Sequence, residues 1–273
     1  MNIPLQPQVI DLGLLNKFEP ITLERMDAIR LMNRIDTKFV TDTLSLKNLL
    51  KDALNQGYMI FESTGERIHA YDSIYFDTSD LRMFNDHRRG KAVRQKIRTR
   101  VYLGSGLCFL EVKKKNNHSR TRKKRVELPL AAFQDFRDDS EACRWLSSHS
   151  DFGSDDVLPA VETSFNRMTL VDKGLTERLT IDTSVAFRNL RTGAAADLGA
   201  AAIIELKQDG RIRSKMKGIL LKHRIKPIDI TVGNIDFLKD SAYIKVYYNT
   251  ESAADTTINA IVRNKQFIEN QDL

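Results

Sequence analysis

Positive charge in this chain is concentrated between Lys91 and Arg125. That stretch holds thirteen Lys and Arg (91, 94, 96, 98, 100, 113–115, 120, 122–125) against one carboxylate, Glu111. The whole chain of 273 residues carries 43 Lys and Arg against 36 Asp and Glu, for a net charge of +7, so the remainder is net acidic. The spacing constrains more than the count does. Lys96, Arg98, Arg100 and Tyr102 alternate with Ile97, Thr99, Val101 and Leu103. A period of two is a strand signature, because successive side chains point to opposite faces. Gly104-Ser105-Gly106 reads as a turn, and the alternation resumes with Phe109, Glu111, Lys113 and Lys115 against Leu110 and Val112. After a polar bend at Asn116–Ser119, Val126 and Leu128 share one face of a third run, and Lys123, Arg125 and Glu127 share the other.

These runs predict a three-stranded antiparallel meander with one aliphatic face and one cationic face. An ordinary two-faced sheet would leave its charged side in water. Here neighbouring strands set like charges side by side, which destabilises a sheet. A cation face repeated over three strands therefore points to a polyanion partner. The pI near 9.3 agrees.

The remaining composition sets bounds. Apolar residues make up 41% and charged residues 29%, enough for a substantial core. Cys108 and Cys143 have no metal-type spacing, so a reducing, cytoplasmic setting without disulfides is expected. The N-terminus lacks the basic-then-apolar pattern of a signal peptide, and no apolar run reaches the length of a spanning helix. No internal repeat or linker divides the chain. One domain is expected over 1–250, with its core at 30–250, followed by a mobile polar tail over 251–273 containing a short helix at Ile258–Ile268.

Read in order, the pattern predicts helices over Thr22–Met32, from a Ser45 cap to Leu54, over Leu130–Ser148 and over Ser214–Arg224. Residues 78–90 read as a polar connection and 189–200 as a loose Ala- and Gly-rich hairpin. Strands are expected at 34–40, 73–77, 96–103, 108–115, 122–128, 161–171, 178–185 and 201–207, eight in all. Seven carry a Lys or Arg on a strand face. Eight antiparallel strands can close, which removes the edges and gathers the cations on a lumen. The expected fold is thus α+β: a closed antiparallel eight-stranded β tunnel barrel with flanking helices. Several polar residues have plainer readings. Glu111 reads as an ion-pair partner of Lys113 or Arg100, Asp77 and Asp182 as supports for turns or for Arg orientation, and Asp36 and Glu162 as partners of the basic residues. The five histidines show no metal-ligand spacing, and Lys114, Arg122 and Lys124 are expected to face outward.

RIDTKFV (34–40), SIYFDTSD (73–80), KIRTRVY (96–102), FLEVKKK (109–115), SFNRMTL (164–170), RLTID (178–182), IIELK (203–207) and SKMKG (214–218), in this order, resemble the VTC domain. That domain is the catalytic part of the vacuolar transporter chaperone complex and its bacterial relatives, within the triphosphate tunnel metalloenzymes (the CYTH-like superfamily). The resemblance implies a polyphosphate polymerase that uses ATP and Mg²⁺ or Mn²⁺ inside a basic tunnel. It implies Arg98, Arg100, Lys113, Arg178 and Lys215 as catalytic cations, Lys38, Lys123, Arg167, Lys207 and Lys217 as further phosphate-binding cations, and Glu205 as the metal carboxylate. Triphosphatases of the superfamily carry Glu-x-Glu-x-Lys on the first strand. Here that strand reads Arg34-Ile-Asp36-Thr-Lys38, which favours the polymerase branch.

Alternatives remain open at this point. A metal-dependent inorganic triphosphatase or nucleotide cyclase could use the same barrel. A module that binds polyphosphate or inositol phosphates without turnover would need the same cations. Nucleic acid is not expected as a partner, because base stacking calls for aromatics among the cations and the basic strands offer only Tyr102 and Phe109. Any membrane partner would be a separate subunit.

Overall fold

The computed structural model describes residues 10–27, 34–117 and 121–228. Its elements run α1 (Leu12–Leu15), β1 (Glu19–Ile21), α2 (Leu23–Asp27), β2 (Arg34–Asp42), α3 (Thr43–Asn55), β3 (Met59–Phe61), β4 (His69–Asp77), α4 (Arg82–Arg88), β5 (Arg94–Tyr102), β6 (Leu107–Lys115) and β7 (Thr121–Leu128). They continue with α5 (Ser140–His149), β8 (Leu158–Val171), β9 (Glu177–Asn189), β10 (Ala195–Asp197), β11 (Ala201–Asp209) and α6 (Lys215–Lys222).

The eight expected strands are all present, and the meander β5–β6–β7 is antiparallel with the alternation read from sequence. They hydrogen-bond in the order β2-β11-β9-β8-β4-β5-β6-β7, and every neighbouring pair is antiparallel. Two expectations need correction. The sheet has eleven strands among the described residues, because β1, β3 and β10 attach beside the main path. It is also not closed: β2 and β7, at the two ends of the path, do not pair among the described residues. The side chains at those ends account for the open seam. β7 carries Arg122, Lys123, Lys124 and Arg125 on both of its faces, and β2 carries Arg34 and Lys38. Pairing them would set cation against cation. Part of the free edge of β2 is taken by the chain after α6, where Phe39 bridges Pro227 and the Ile228 amide donates to the Lys38 carbonyl at 2.8 Å.

One face of this wall is oily and covered by helices. Phe39, Leu170, Leu179, Ile181, Ile204 and Leu206 pack with Leu46, Leu49 and Leu50 of α3 and with Met216, Ile219 and Leu220 of α6. Ile74, Ile97, Val101, Leu110, Val112 and Leu128 pack with Phe133, Phe136 and Leu146 in and around α5. Alternate residues of the same strands make the opposite face, which among the described residues no helix covers with a core of this kind.

Capping explains where the helices depart from expectation. Asp42, not Ser45, caps α3: its carboxylate accepts from the Ser45 amide at 2.9 Å and from the Ser45 hydroxyl at 2.7 Å. Asp77 accepts from the amides of Thr78, Met83 and Phe84, each at 2.8 Å, and so starts α4 inside the expected polar connection. The expected helix over 130–148 is a 3₁₀ turn at Leu130–Ala132 and then α5, which begins only where Asp139 accepts from Glu141 and Ala142. The helix expected over Ser214–Arg224 is α6, which Ser214 caps by accepting from the Lys217 amide. The continuation of the expected helix past Asp27, the bend at 118–120, the tail over 251–273 and the helix at 258–268 lie outside the described residues.

Candidate functional site

Strand register carries one continuous set of polar side chains across the uncovered face. Lys38 and Asp36 of β2 oppose Glu205 and Lys207 of β11. Those oppose Thr180 and Arg178 of β9. Asp182 of β9 opposes Arg167 of β8. On the other side of β8, Tyr71 and Ser73 of β4 oppose Phe165 and Thr163. Ser73 and Tyr75 oppose Arg100 and Arg98 of β5. Lys96, Arg98 and Arg100 oppose Lys113, Glu111 and Phe109 of β6, and Lys113 and Glu111 oppose Lys123 and Arg125 of β7.

The two ends of this path meet electrostatically. Burial lowers the pKa of Lys113 on β6; Glu205 on β11 opposes the shift and Lys38 on β2 adds to it. Lys38 also acts on Lys96. Charges couple this way only over short distances. The wall therefore curls, and its cationic face is concave. Lys113 is exposed to water yet surrounded by protein charge, as a side chain in a wet concavity must be. Irregularities at Tyr75/Phe76 and at Ser164/Asn166 supply local bends in the wall.

Three carboxylates hold the cations in place. Glu111 sits between Arg98 Nη2 at 2.6 Å and Lys123 Nζ at 2.5 Å. Its expected partners were Lys113 or Arg100. The register instead sets Arg98 directly opposite it, with Lys123 on the diagonal. Burial would raise the Glu111 pKa, but Arg98 and Lys123 bring it down to about 2. Asp182 grips Arg167 through two contacts, at 2.6 and 2.7 Å, the orienting role expected of it. Burial works against the Arg167 charge, and Asp182 more than restores it. Glu205 pairs with Lys207 two residues along β11. Burial opposes its ionisation, yet Lys207, Lys38 and Arg167 lower its pKa to about 2. Arg100 is 7% exposed, and its Nε donates to the Ser73 hydroxyl at 2.8 Å. Burial and the neighbouring Arg98 lower it to about 10, so it stays charged at neutral pH.

Nine of the eleven site residues expected from sequence thus share the concave face: Lys38, Arg98, Arg100, Lys113, Lys123, Arg167, Arg178, Glu205 and Lys207. The structure does not bring Lys215 and Lys217 onto it. They stand exposed in the first turn of α6, where the Met216 amide donates to Glu177, the neighbour of Arg178. Asp36 pairs with Arg34 at 2.7 Å, whereas Glu162 pairs with Arg188 on the helix-covered side of β8.

Sequence reasoning missed Tyr75, Lys96 and His87 as members of the site. Arg98 Nη1 donates to the Tyr75 hydroxyl at 3.0 Å. Burial resists ionisation of Tyr75, but Arg98, Arg100 and Lys96 bring it down to about 7. Burial likewise lowers Lys96 to about 7, with Tyr75 opposing and Lys38, Lys113 and Arg98 assisting. Burial, with Lys96, Arg94, Lys38 and Lys113, pushes His87 down to about 3, so it is neutral at pH 7. Lys96 could have been found from its place in the alternating row. Tyr75 could not, because its role depends on which residue of β5 lies opposite.

The family model for the VTC domain matches residues 33–230. The chain belongs to the VTC domain family. The match covers every strand of the main path and the first turn of α6. Solved structures similar to this VTC domain include a candidate adenylyl cyclase from Hippeastrum, described as having a dominant triphosphatase activity. It is 18% identical with a TM-score of 0.42, covering 71% of this chain and 89% of that one. A candidate adenylate cyclase from Vibrio parahaemolyticus is 12% identical with a TM-score of 0.42, over 72% and 91% of the two chains. A Pyrococcus horikoshii protein is 10% identical with a TM-score of 0.39, over 71% and 91%. A search of curated proteins finds no match.

Among the described residues of this VTC domain, no three His, Cys, Asp or Glu cluster in the manner of a protein-built metal cage. Glu205 offers a single carboxylate, held ionised, beside Lys38 and opposite Thr180. That donor set suits Mg²⁺ or Mn²⁺, which take oxygen ligands, keep several waters and share phosphate oxygens with one or two carboxylates. Among the described residues no helix is long and apolar enough to cross a membrane.

Proposed function

We propose that this VTC domain is a polyphosphate polymerase that moves the γ-phosphoryl group of ATP onto a growing inorganic polyphosphate chain. The observation that carries this reading is the concave face itself. It gathers Lys38, Arg98, Arg100, Lys113, Lys123, Arg167, Arg178 and Lys207 with three carboxylates: Glu111 and Asp182 grip arginines and Glu205 pairs with Lys207, and among the described residues no three His, Cys, Asp or Glu cluster as a metal cage. A row of fixed cations along a curved wall suits a linear string of phosphates.

Phosphoryl transfer asks a protein mainly for placement and for neutralisation of spreading charge. Arg98, Arg100 and Arg178 provide planar donors that match phosphate oxygens, and Lys113 adds a compact charge. Glu111 and Asp182 keep Arg98 and Arg167 extended into the concavity before substrate arrives, which lowers the ordering required on binding. Lys38, Lys123, Arg167 and Lys207 hold the flanking phosphates. Lys215 and Lys217 stand exposed in the first turn of α6, off the concave face, and take no step in this transfer. A terminal phosphate oxygen of the acceptor forms the new P–O bond, the β–γ bridging P–O bond breaks, and ADP leaves with that electron pair. The acceptor oxygen is already ionised, so no general base is needed. Glu205 would hold Mg²⁺ or Mn²⁺, whose chemistry there is to screen charge on the phosphate oxygens. We place the reaction in the cytoplasm, where ATP is supplied.

Incubation with ATP and Mn²⁺ followed by gel electrophoresis tests the reading. A ladder of polyphosphate supports it. Free phosphate without a ladder identifies a triphosphatase, and binding without turnover identifies a sensor. In Glu205→Gln the ladder is lost while tripolyphosphate still binds.

A further inference from the structure

Four aromatic rings stand side by side on the concave face, one on each of four neighbouring strands. Phe165 of β8 stacks on Tyr71 of β4 with centroids 5.3 Å apart and planes at 10°. Tyr71 meets Tyr102 of β5 edge-on at 5.0 Å, and Tyr102 meets Phe109 of β6 edge-on at 5.8 Å. The two ends of this ladder differ. Phe165 is buried among Val40, Val185, Phe187 and Ile203. Tyr102 and Phe109 are only half-buried, and Leu107, opposite Tyr102 and on the same face, is 44% exposed. The ladder therefore runs out of an apolar plug into a partly exposed ledge of Tyr102, Leu107 and Phe109. The ledge ends at the β5–β6 hairpin, where Gly106 supplies the positive φ of 69° that the turn needs.

Orientation of guanidiniums explains part of this arrangement. Arg100 and Arg167 lie over both Tyr71 and Phe165, at 5.0–5.5 Å from the ring centres, and Arg125 lies over Phe109 at 4.4 Å. It does not explain why Tyr102 and Leu107 present an apolar surface to water at one end of a polyanion site. The neighbours of the ledge indicate its occupant. Arg100 lies two residues from Tyr102 on the same strand, roughly 6.8 Å at the usual strand rise. That is about the reach of a ribose between a base and its α-phosphate. Arg100 is also directly opposite Phe109. Glu127, opposite Phe109 on β7, brings a carboxylate to this end, which disfavours a further phosphate there.

We infer that the Tyr102–Leu107–Phe109 ledge is the platform for the nucleobase of the triphosphate substrate, with the base at the β5–β6 hairpin and the phosphates running inward over Arg100 and Arg98. This rests on the reading of the substrate as a nucleoside triphosphate. It fixes a direction: the nucleotide enters at the hairpin end, and polymer leaves past Arg178 and Lys207. Stacking tolerates any base with a large π-face, so the site should prefer purine over pyrimidine nucleotides and discriminate little between ATP and GTP.

The test compares two ligands on the full chain. Affinities for ATP and for inorganic tripolyphosphate, both with Mg²⁺, are measured by calorimetry for the wild type, Tyr102→Leu and Phe109→Leu. Each variant keeps apolar bulk and loses a ring. The expected result is ATP bound about tenfold more weakly, within the range that base stacking on an aromatic side chain contributes, with tripolyphosphate unchanged. Equal weakening of both ligands, or of neither, overturns the platform. The parent reading fails separately: a wild type that binds tripolyphosphate and not ATP has no nucleotide to place. Because the readout is binding, absence of polymer synthesis leaves the contrast between ligands intact.

Discussion

The same strands build two unlike surfaces. On the helix-covered side, β5 presents Ile97 and Val101, exposed by 0 and 2%, to the aliphatic cluster that includes Phe136 and Leu146. On the concave side it presents Lys96, Arg98 and Arg100 to Lys113, Glu111 and Phe109. One residue of offset separates hydrocarbon from fixed charge. The first surface carries the folding free energy, through burial of apolar area. The second is partly set against it, through like charges in register and desolvated cations. A wall of this kind is stable because of one face and useful because of the other. Mutations on the two faces should therefore fail in different assays.

The largest effect is expected on the concave face and only in turnover. Arg98→Ala should lower polyphosphate synthesis by about 10³-fold or more, the scale on which arginines act in phosphoryl transfer. Its circular dichroism spectrum should remain that of the folded protein. Full activity would remove Arg98 from the transfer site. A collapse of the fold would break the division of labour between the faces. The counterpart on the other surface is Phe136→Ala. Phe136 is 0% exposed and packs edge-on against Phe76 at 4.8 Å. Its truncation should cost about 3–5 kcal/mol in denaturant unfolding, while turnover per folded molecule stays near the parent value.

How much of this was legible follows the same division. Period-two alternation assigned residues to faces correctly in β5, β6 and β7, because a strand with one oily side fixes its own orientation. All eight long strands stand where they were expected, the others without that assignment of faces. Closure could not, because it depends on whether β2 and β7 tolerate one another, and the cations on both edges are visible only once those strands are known to be the ends of the path. β1, β3 and β10 are three residues each, too short to show a period. At the site, Glu205 and most of the cations were readable, with the family resemblance naming them individually. The partners were not. That Glu111 holds Arg98 and Lys123, or that Tyr75 lies opposite Arg98, is a fact of register between strands, which the alternation within each strand does not fix.

Register also yields a pH effect of intermediate size. In the free protein Lys96 titrates near 7 rather than 10.5, and Tyr75 near 7 rather than 10.0. The folded protein thus holds fewer protons than the unfolded chain between these values. Its stability should rise with pH across that window. A bound phosphate chain favours Lys96 in its charged form and Tyr75 in its neutral form, so binding takes up protons. Affinity for tripolyphosphate should fall as pH rises above 7, by up to about tenfold per pH unit for each proton taken up. Calorimetry in buffers of different ionisation enthalpy reads the uptake directly. Lys96→Met and Tyr75→Phe should each flatten the dependence relative to wild type. An unchanged slope in both variants would place the titrating group elsewhere.

The smallest effect sharpens the contrast most, because it reverses sign. Lys113 lies in register between Lys96 and Lys123, and burial together with Lys38 and Arg98 works against its charge. Lys113→Met keeps most of the side chain's length and removes the repulsion. Without ligand the variant should be more stable than the parent by up to about 1 kcal/mol, the size of cross-strand pair effects. With tripolyphosphate in large excess the order should invert, because a ligand stabilises the folded state by an amount that rises with the logarithm of its concentration over Kd and the parent binds more tightly. Melting curves with and without ligand show whether the two lines cross. A variant less stable in both conditions would mean that Lys113 supports the wall rather than opposing it, and that the concave face is held together by its cations rather than in spite of them.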